Sequence, residues 1–448
     1  MRTAGAVLAI VMAAGMVAGS IRADGPQKTT PPDKVAELRT RAERGDAAAQ
    51  YLLGRAFDRG EGVEQDYREA VVWYRKAAEQ GHAEAQNSLA QRYALGHGVP
   101  EDDAQALVWY RKAAEQGLAD AQNTLGRRYD EGLGVPKDDA LAVAWWRKAA
   151  AQGYANSQNN LGLAYEFGRG VEEDHALAVA WYRKAAEQGL VEGQLNLGRA
   201  FAMNVGGVQD YRQAMTWFRR AADQGDAGGL YFLGVAYAAG HGVAQDHAAA
   251  AAWYLKAAEA GLAVAQYQMG AAYEAGRGVP RDDAQAVAWY RKAAARGHAL
   301  SQSVLGVRYA NGEGVPQDFA EAVAWYRKAA EQGDPAAQCN LGAAYAAGQG
   351  VPQNDTQAAA WYRKAAAQGE ATAQFNLGVV YANGRGVPRD YVESHMWVNL
   401  AATRAAADKR AEYAQARDEI AKAMTPDQVA EAQKRAREWL AAFERLQK

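Results

Sequence analysis

Tryptophan recurs every 36 residues, at Trp73, Trp109, Trp145, Trp181, Trp217, Trp253, Trp289, Trp325, Trp361 and Trp397, and these ten leave only two of the twelve tryptophans outside the register. A period kept without a gap from Asp46 to about Ala402 means that one supersecondary element is copied and stacked, because a single copy cannot bury its own apolar face. The length of 448 residues corresponds to about three globular domains. The repeat replaces that expectation with one elongated array.

Each copy divides into two helical patterns, clearest in residues 298–333. Leu305, Gly306 and Tyr309 share one face of a first helix. The second helix is predicted to open at Asp318 as N-cap, with Glu321 as the reciprocal half of a capping box; Asp210 with Gln213 and Asp390 with Glu393 repeat the pattern. Ala322, Trp325, Ala329 and Ala330 form its apolar stripe, Arg327 and Lys328 suit its C-terminal dipole, and Gly333 reads as a left-handed cap. Between the helices runs Gly312-Glu313-Gly314-Val315-Pro316, where glycine permits positive φ and proline stops the first helix continuing. This is no dinucleotide cradle, since the third glycine and a preceding strand are missing. The glycine of the Leu-Gly pair, as at Gly54, Gly126 and Gly306, is expected to let the two helices approach, with the tryptophan filling the space beside it.

The motif A-x-A-Q-x-x-L-G-x-x-Y-x-x-G-x-G-V-P-x-D-x-x-x-A-x-x-W-Y-R-K-A-A-x-Q-G resembles the SEL-like repeat (SLR), a relative of the tetratricopeptide repeat, over about four fifths of the chain. Departures are local: Ala90 replaces one Leu-Gly glycine, Leu230 replaces one glutamine, and Asn204-Val205-Gly206-Gly207 alters one loop. The fold class read from pattern and resemblance together is all-α, a right-handed α-solenoid of ten 36-residue helix-loop-helix repeats with capping helices at both ends. Boundaries follow: a signal peptide over 1–23, a linker over 24–32, an N-terminal capping helix over 33–45 carrying Val35, Leu38 and Ala42, repeats over 46–402, and C-terminal capping helices over 403–448 opened in part by Thr425-Pro426-Asp427-Gln428.

Met1 to Thr3 carry a single positive side chain, Ala4 to Gly19 form an uncharged apolar run, and small residues follow, the pattern of a secretory signal. The expected location is therefore periplasmic or secreted, with no stable membrane insertion after cleavage. With 50 basic against 52 acidic residues no field steers the chain toward nucleic acid. Cys339 is the only cysteine, so no disulfide closes within the chain.

Catalytic chemistry finds little footing. None of the six serines is followed three residues later by lysine, neither Ser-Asp-Asn nor Lys-Thr-Gly occurs, and no His-Glu-x-x-His is present. The resemblance extends to secreted relatives labelled β-lactamases, so a cell-envelope hydrolase is the alternative reading, without its motif here. His241 and His247 read as a loop pair rather than a metal site, Asp102-Asp103 and Asp282-Asp283 as helix caps, and Cys339 as a packed thiol. No cofactor is expected. The reading is a non-enzymatic, monomeric adaptor for proteins or peptides.

The resemblance implies that first helices line a concave groove. Groove positions then fall at i, i+4, i+7 and i+11, the levels of Ala48, Leu52, Arg55 and Arg59. The candidate binding residues are Arg55, Gln91, Arg127, Asn160, Asn196, Arg199, Phe232, Val235, Gln268, Val304, Val307, Asn340 and Asn376. The N-terminal half is polar and charged, an apolar anchor is expected over Phe232 to Val307, and the asparagines can pair with the backbone of an extended ligand.

Overall fold

The computed structural model describes residues 32–207 and 209–446; the signal-peptide reading lies outside them. Among the described residues every regular element is a helix. The chain divides into two units, Met1–Ala244 and Gln245–Lys448. In the first, the helix Pro32–Glu43 precedes five helix pairs, Ala47–Arg59 with Tyr67–Glu79, Ala83–Leu95 with Asp103–Glu115, Ala119–Glu131 with Asp139–Ala151, Ala155–Glu166 with His175–Glu187, and Val191–Met203 with Tyr211–Asp223, followed by Ala227–Ala239. The second begins with His247–Glu259 and holds four pairs, Ala263–Ala275 with Asp283–Ala295, Ala299–Asn311 with Phe319–Glu331, Pro335–Ala347 with Asp355–Ala367, and Ala371–Asn383 with Tyr391–Arg404. Ala407–Ala421 and Pro426–Leu446 close it. This is the all-α solenoid of ten two-helix repeats.

Second helices open on an aspartate, as expected, except Asp355–Ala367, which opens on Asn354: Asp318 Oδ1 accepts from the amides of Ala320 and Glu321 at 2.9 and 3.0 Å. The reciprocal glutamate contact is replaced. The N-cap amide already donates to the first helix, Asp318 N to Tyr309 O at 2.9 Å and Asp390 N to Tyr381 O at 3.1 Å. Glu393 instead accepts from Trp397 Nε1 at 3.2 Å. A complete capping box forms only where no such loop precedes the helix: Thr425 N donates to Gln428 Oε1 and Gln428 N to Thr425 Oγ1, at 2.9 and 3.3 Å.

The first helices do not run as far as the proline. They end on a left-handed residue, glycine in most repeats and Asn204, φ 62°, in the fifth. The second loop glycine has a different task. A Cβ on Gly98, φ 79°, would overlap the carbonyl of Tyr67 and lie 2.8 Å from Arg68 N, so the loop of one repeat seats directly on the second helix of the repeat before.

Beside the fully buried leucines Leu53, Leu125, Leu161 and Leu305 stands the Leu-Gly glycine, and the ring filling the space over it is not the periodic tryptophan but the residue after it. A Cβ on Gly54 would come within 2.7 Å of Tyr74, and one on Gly342 within 2.8 Å of Tyr362. Tyr74 is 1% exposed. The tryptophan lies at the margin of the core, its outer face covered by the lysine one turn on, Lys76 over Trp73 at 4.0 Å and Lys292 over Trp289 at 3.7 Å.

A buried glutamine crosses every interface except that of repeat six, which has Leu230 in its place. Gln86 Nε2 donates to Ala78 O of the preceding repeat at 3.0 Å, and Gln116 Nε2, at the end of the same repeat, donates to Gln86 Oε1 at 2.7 Å. The ends are closed by the capping helices: Val35 and Ala42 are buried against the first repeat, and Trp439 packs edge-on to Trp397 and stacks on Phe443.

Two predictions follow from this packing. Gly81→Ala meets positive φ with nothing within 4 Å and is expected to cost about 1–2 kcal/mol. Gly98→Ala adds the backbone overlap and should lower the urea midpoint clearly further; equal midpoints would refute the seated loop. The second concerns His395, 2% exposed on Tyr391–Arg404. Burial and then Arg417 hold its pKa below the ordinary value, with Asp418 opposing. The folded chain thus favours the neutral ring, so this stability is complete above pH about 6.5 and is lost as pH falls toward the folded pKa. His298, lowered by burial, acts in the same window. The melting temperature should fall between pH 7.5 and 5.5, less steeply in His395→Gln.

Candidate ligand-binding face

The side of each first helix away from its own second helix is a surface on which residues can vary without disturbing the packing just described. Of the thirteen candidates, Gln91, Arg127 and Val307 are exposed, and Arg55, Asn160, Val235, Gln268, Val304, Asn340 and Asn376 are half-buried. Phe232, Asn196 and Arg199 are buried, at 5, 6 and 6%. These three are corrections.

Phe232 stacks on Phe218 at 4.7 Å and tilts against Tyr231 at 5.5 Å; it is part of the core, not an exposed anchor. Asn196 Nδ2 donates to Asn159 Oδ1 at 2.8 Å, and Asn160 Nδ2 to Asn123 Oδ1 at 3.2 Å. These amides join neighbouring first helices. Asn376 approaches only Cys339 Sγ, at 3.9 Å.

Arg199 belongs to a system that repeat-by-repeat reading misses. Its Nη1 donates to Glu166 Oε1 of the preceding repeat at 2.7 Å, its Nη2 reaches the other oxygen, and Tyr182 Oη donates to Glu166 Oε2 at 2.6 Å. Burial raises the Glu166 pKa, but hydrogen bonding and charge from Arg199 outweigh it and hold the carboxylate below its ordinary range. The pattern recurs: Arg92 pairs with Asp58 at 2.9 Å, Arg169 with Asp130 at 3.7 Å, and Arg308 with Glu274 and, at 2.9 Å, with Glu313. An acid near the end of one first helix and an arginine about one period later was the signal available in the sequence.

The titratable groups give this face no nucleophile. Burial, then Glu370, pushes the Cys339 thiol up, so it stays protonated. His241 stacks on Tyr211 at 4.2 Å. Among the described residues no group of three or more metal-ligating side chains converges, and no helix is long and apolar enough to cross a membrane.

What remains open differs between the units. In the second unit the four helices Ala263–Ala275, Ala299–Asn311, Pro335–Ala347 and Ala371–Asn383 contain only two charged residues, Glu274 and Arg308, and these are paired with each other. Leu300, Val307 and Val379 are 45, 36 and 38% exposed on them. The first unit exposes Glu84, Arg127 and Glu131 on its first helices, with Leu95 and Met203 exposed only at their C-terminal ends.

The Sel1 repeat model matches ten consecutive segments, 47–82, 83–118, 119–154, 155–190, 191–226, 227–262, 263–298, 299–334, 335–370 and 371–405. The chain belongs to the Sel1 repeat family. Among solved structures, c5321, described as a protective antigen present in uropathogenic Escherichia coli strains displaying an SLR fold, is 36% identical, with 92% of this chain and 97% of that one covered and a TM-score of 0.57. A Sel1 repeat protein from Oxalobacter formigenes is 34% identical over 72% of this chain and 97% of that one, TM-score 0.57. A search of curated proteins gave no match. Sel1 repeat arrays are typically protein-interaction scaffolds, and solenoids of this kind are generally non-catalytic.

The Arg199–Glu166 pair is testable as structure rather than ligand site. Arg199→Ala leaves a buried carboxylate unpaired and should cost about 3–5 kcal/mol in urea unfolding, whereas Arg199→Met with Glu166→Leu should recover most of it. A stable, folded Arg199→Ala would contradict the assignment.

Proposed function

We propose that this Sel1 repeat chain is a non-enzymatic adaptor that acts after export, in the periplasm or outside the cell, and holds a protein or extended peptide on the first-helix face of its second unit. The observation that carries this reading is the lane formed by the first helices Ala263–Ala275, Ala299–Asn311, Pro335–Ala347 and Ala371–Asn383, whose two charged residues, Glu274 and Arg308, are paired while aliphatic side chains stay in water. Exposed apolar surface on a folded chain marks an interaction site. With Phe232 in the core, the anchor lies at Leu300, Val304, Val307 and Val379. Gln268, Asn340 and Asn376 are half-buried beside it, and each amide offers a donor and an acceptor to a peptide backbone. The occupant is accordingly an extended segment with apolar side chains and little charge. The run Ala4–Gly19 and the small residues after it support export, as does the description of c5321 as a protective antigen.

A photo-crosslinker placed at Val307 in the full chain, expressed in its native cells, tests location and partner together. The expected result is an adduct in the periplasmic or secreted fraction that disappears in Val307→Asp/Val379→Asp, while helical circular dichroism and melting remain unchanged. An adduct that survives both substitutions would show that this lane is not the binding surface.

A further inference from the structure

Repeat five departs from its neighbours on the outer face of its second helix, Tyr211–Asp223. Where most repeats place alanine at the second helical position it carries Arg212; where the others have valine, alanine or methionine it carries Thr216; and Arg220 replaces a lysine that recurs from Lys76 to Lys364. Only Arg68 shares the first position, and there Glu69 follows in the same turn. The helix of repeat five has no acid in its first turn.

None of these residues serves the stacking. Arg212, Thr216 and Arg220 are exposed, and a cation in the first turn works against the helix dipole. Together with Arg219 and with Gly242 and Val243 of the following loop, they line an open cavity of about 480 Å³. No carboxylate lines it. Asp210, the acid nearest Arg212 in sequence, turns its carboxylate to the helix amides, accepting from Arg212 N at 2.9 Å and Gln213 N at 3.0 Å. Arg220 lies over the Trp217 ring at 4.3 Å, which fixes its guanidinium beside the cavity.

We propose that this cavity binds an oxyanion, a phosphate or sulfate ester carried on a small organic body. Guanidinium groups present paired N–H donors that match the oxygens of such esters, while the Thr216 hydroxyl donates to Arg212 O at 3.0 Å and leaves the recognition to the arginines. The volume falls within the range of small-molecule sites, about 300–1,000 Å³, and exceeds what a bare ion fills. The site is separate from the first-helix lane and does not depend on the adaptor reading.

The test is calorimetric titration of the full chain at low ionic strength with glucose 6-phosphate, glucose 6-sulfate, inorganic phosphate and glucose. Binding of an ester but not of glucose is expected, and whichever ester binds more tightly identifies the source. Arg212→Ala should weaken it about tenfold or more, the loss of one charged hydrogen-bonded partner, and Thr216→Val, which removes only a hydroxyl bonded to its own helix, should leave it nearly unchanged. Lys292→Ala, on the corresponding face of repeat seven, should leave it unchanged. Absence of binding by both esters, or equal weakening by Arg212→Ala and Lys292→Ala, would overturn the proposal, the latter because it signifies diffuse charge attraction. Unchanged circular dichroism of the variants separates loss of the site from loss of the fold.

Discussion

The buried glutamine of the first helix is the contact on which the stack depends. Gln122 is 4% exposed, and its single side chain bonds three helices: Nε2 donates to Ala114 O of the preceding repeat, while Oε1 receives the amide of Gln152 from the end of its own repeat. A buried polar group of this kind is unfavourable unless satisfied, so it fixes one register between repeats where alanine surfaces alone would permit sliding. The exceptions obey the same rule. Repeat six carries Leu230 and Ala260 at the two amide positions, and replacing both partners by apolar groups is nearly neutral. In repeats seven and ten only one partner changes, to Arg296 and Arg404, and Gln266 and Gln374 each keep a buried Oε1 without a partner.

The period, the aspartate caps and both sets of end helices were legible because each is a local signal: a spacing, a cap residue, a run of apolar positions. The error over tryptophan arose from phase. Trp73 and Tyr74 are adjacent, about 100° apart on the helix, and their constancy does not say which points inward. The stripe does: Ala70, Tyr74, Ala77 and Ala78 stand at i, i+4, i+7 and i+8 and are all buried, so extending the alanine phase selects the tyrosine. The groove residues failed differently. Arg199 and Asn196 sit at the expected level of the helix, but their partners Glu166 and Asn159 come from the previous repeat, beyond the reach of any reading confined to one copy. Phe232 is buried because a large ring at a half-buried level folds back onto Phe218 rather than toward water.

These corrections sharpen the contrast between the two units. In the first, the buried arginines of the first helices are committed to acids of the preceding repeat, as in Arg92–Asp58 and Arg199–Glu166. Such pairs contribute register more than net stability, since desolvation offsets most of their attraction. In the second, among the described first-helix arginines Arg308 alone keeps such a pairing, chiefly with Glu274, and the freed positions carry alanine and valine. Stacking there rests on the amide ladder and the ring-over-glycine fit, which leaves the outward positions chemically unconstrained.

A repeat protein thereby supplies its own control. Positions occupied alike in nearly every copy, such as the caps, the buried leucine and the glutamine, are accounted for by contacts that recur every 36 residues. A residue found in one copy and touching nothing the stack needs has no such account. Arg199 failed that criterion once Glu166 was found opposite it, and Phe232 failed it against Phe218. Leu300 passes it on one face, and Thr216 passes it on another, beside Arg212, whose one counterpart, Arg68, is followed by Glu69 in the same turn. Uniqueness against the period, taken together with exposure, separates binding residues from packing residues in this fold more sharply than residue type does.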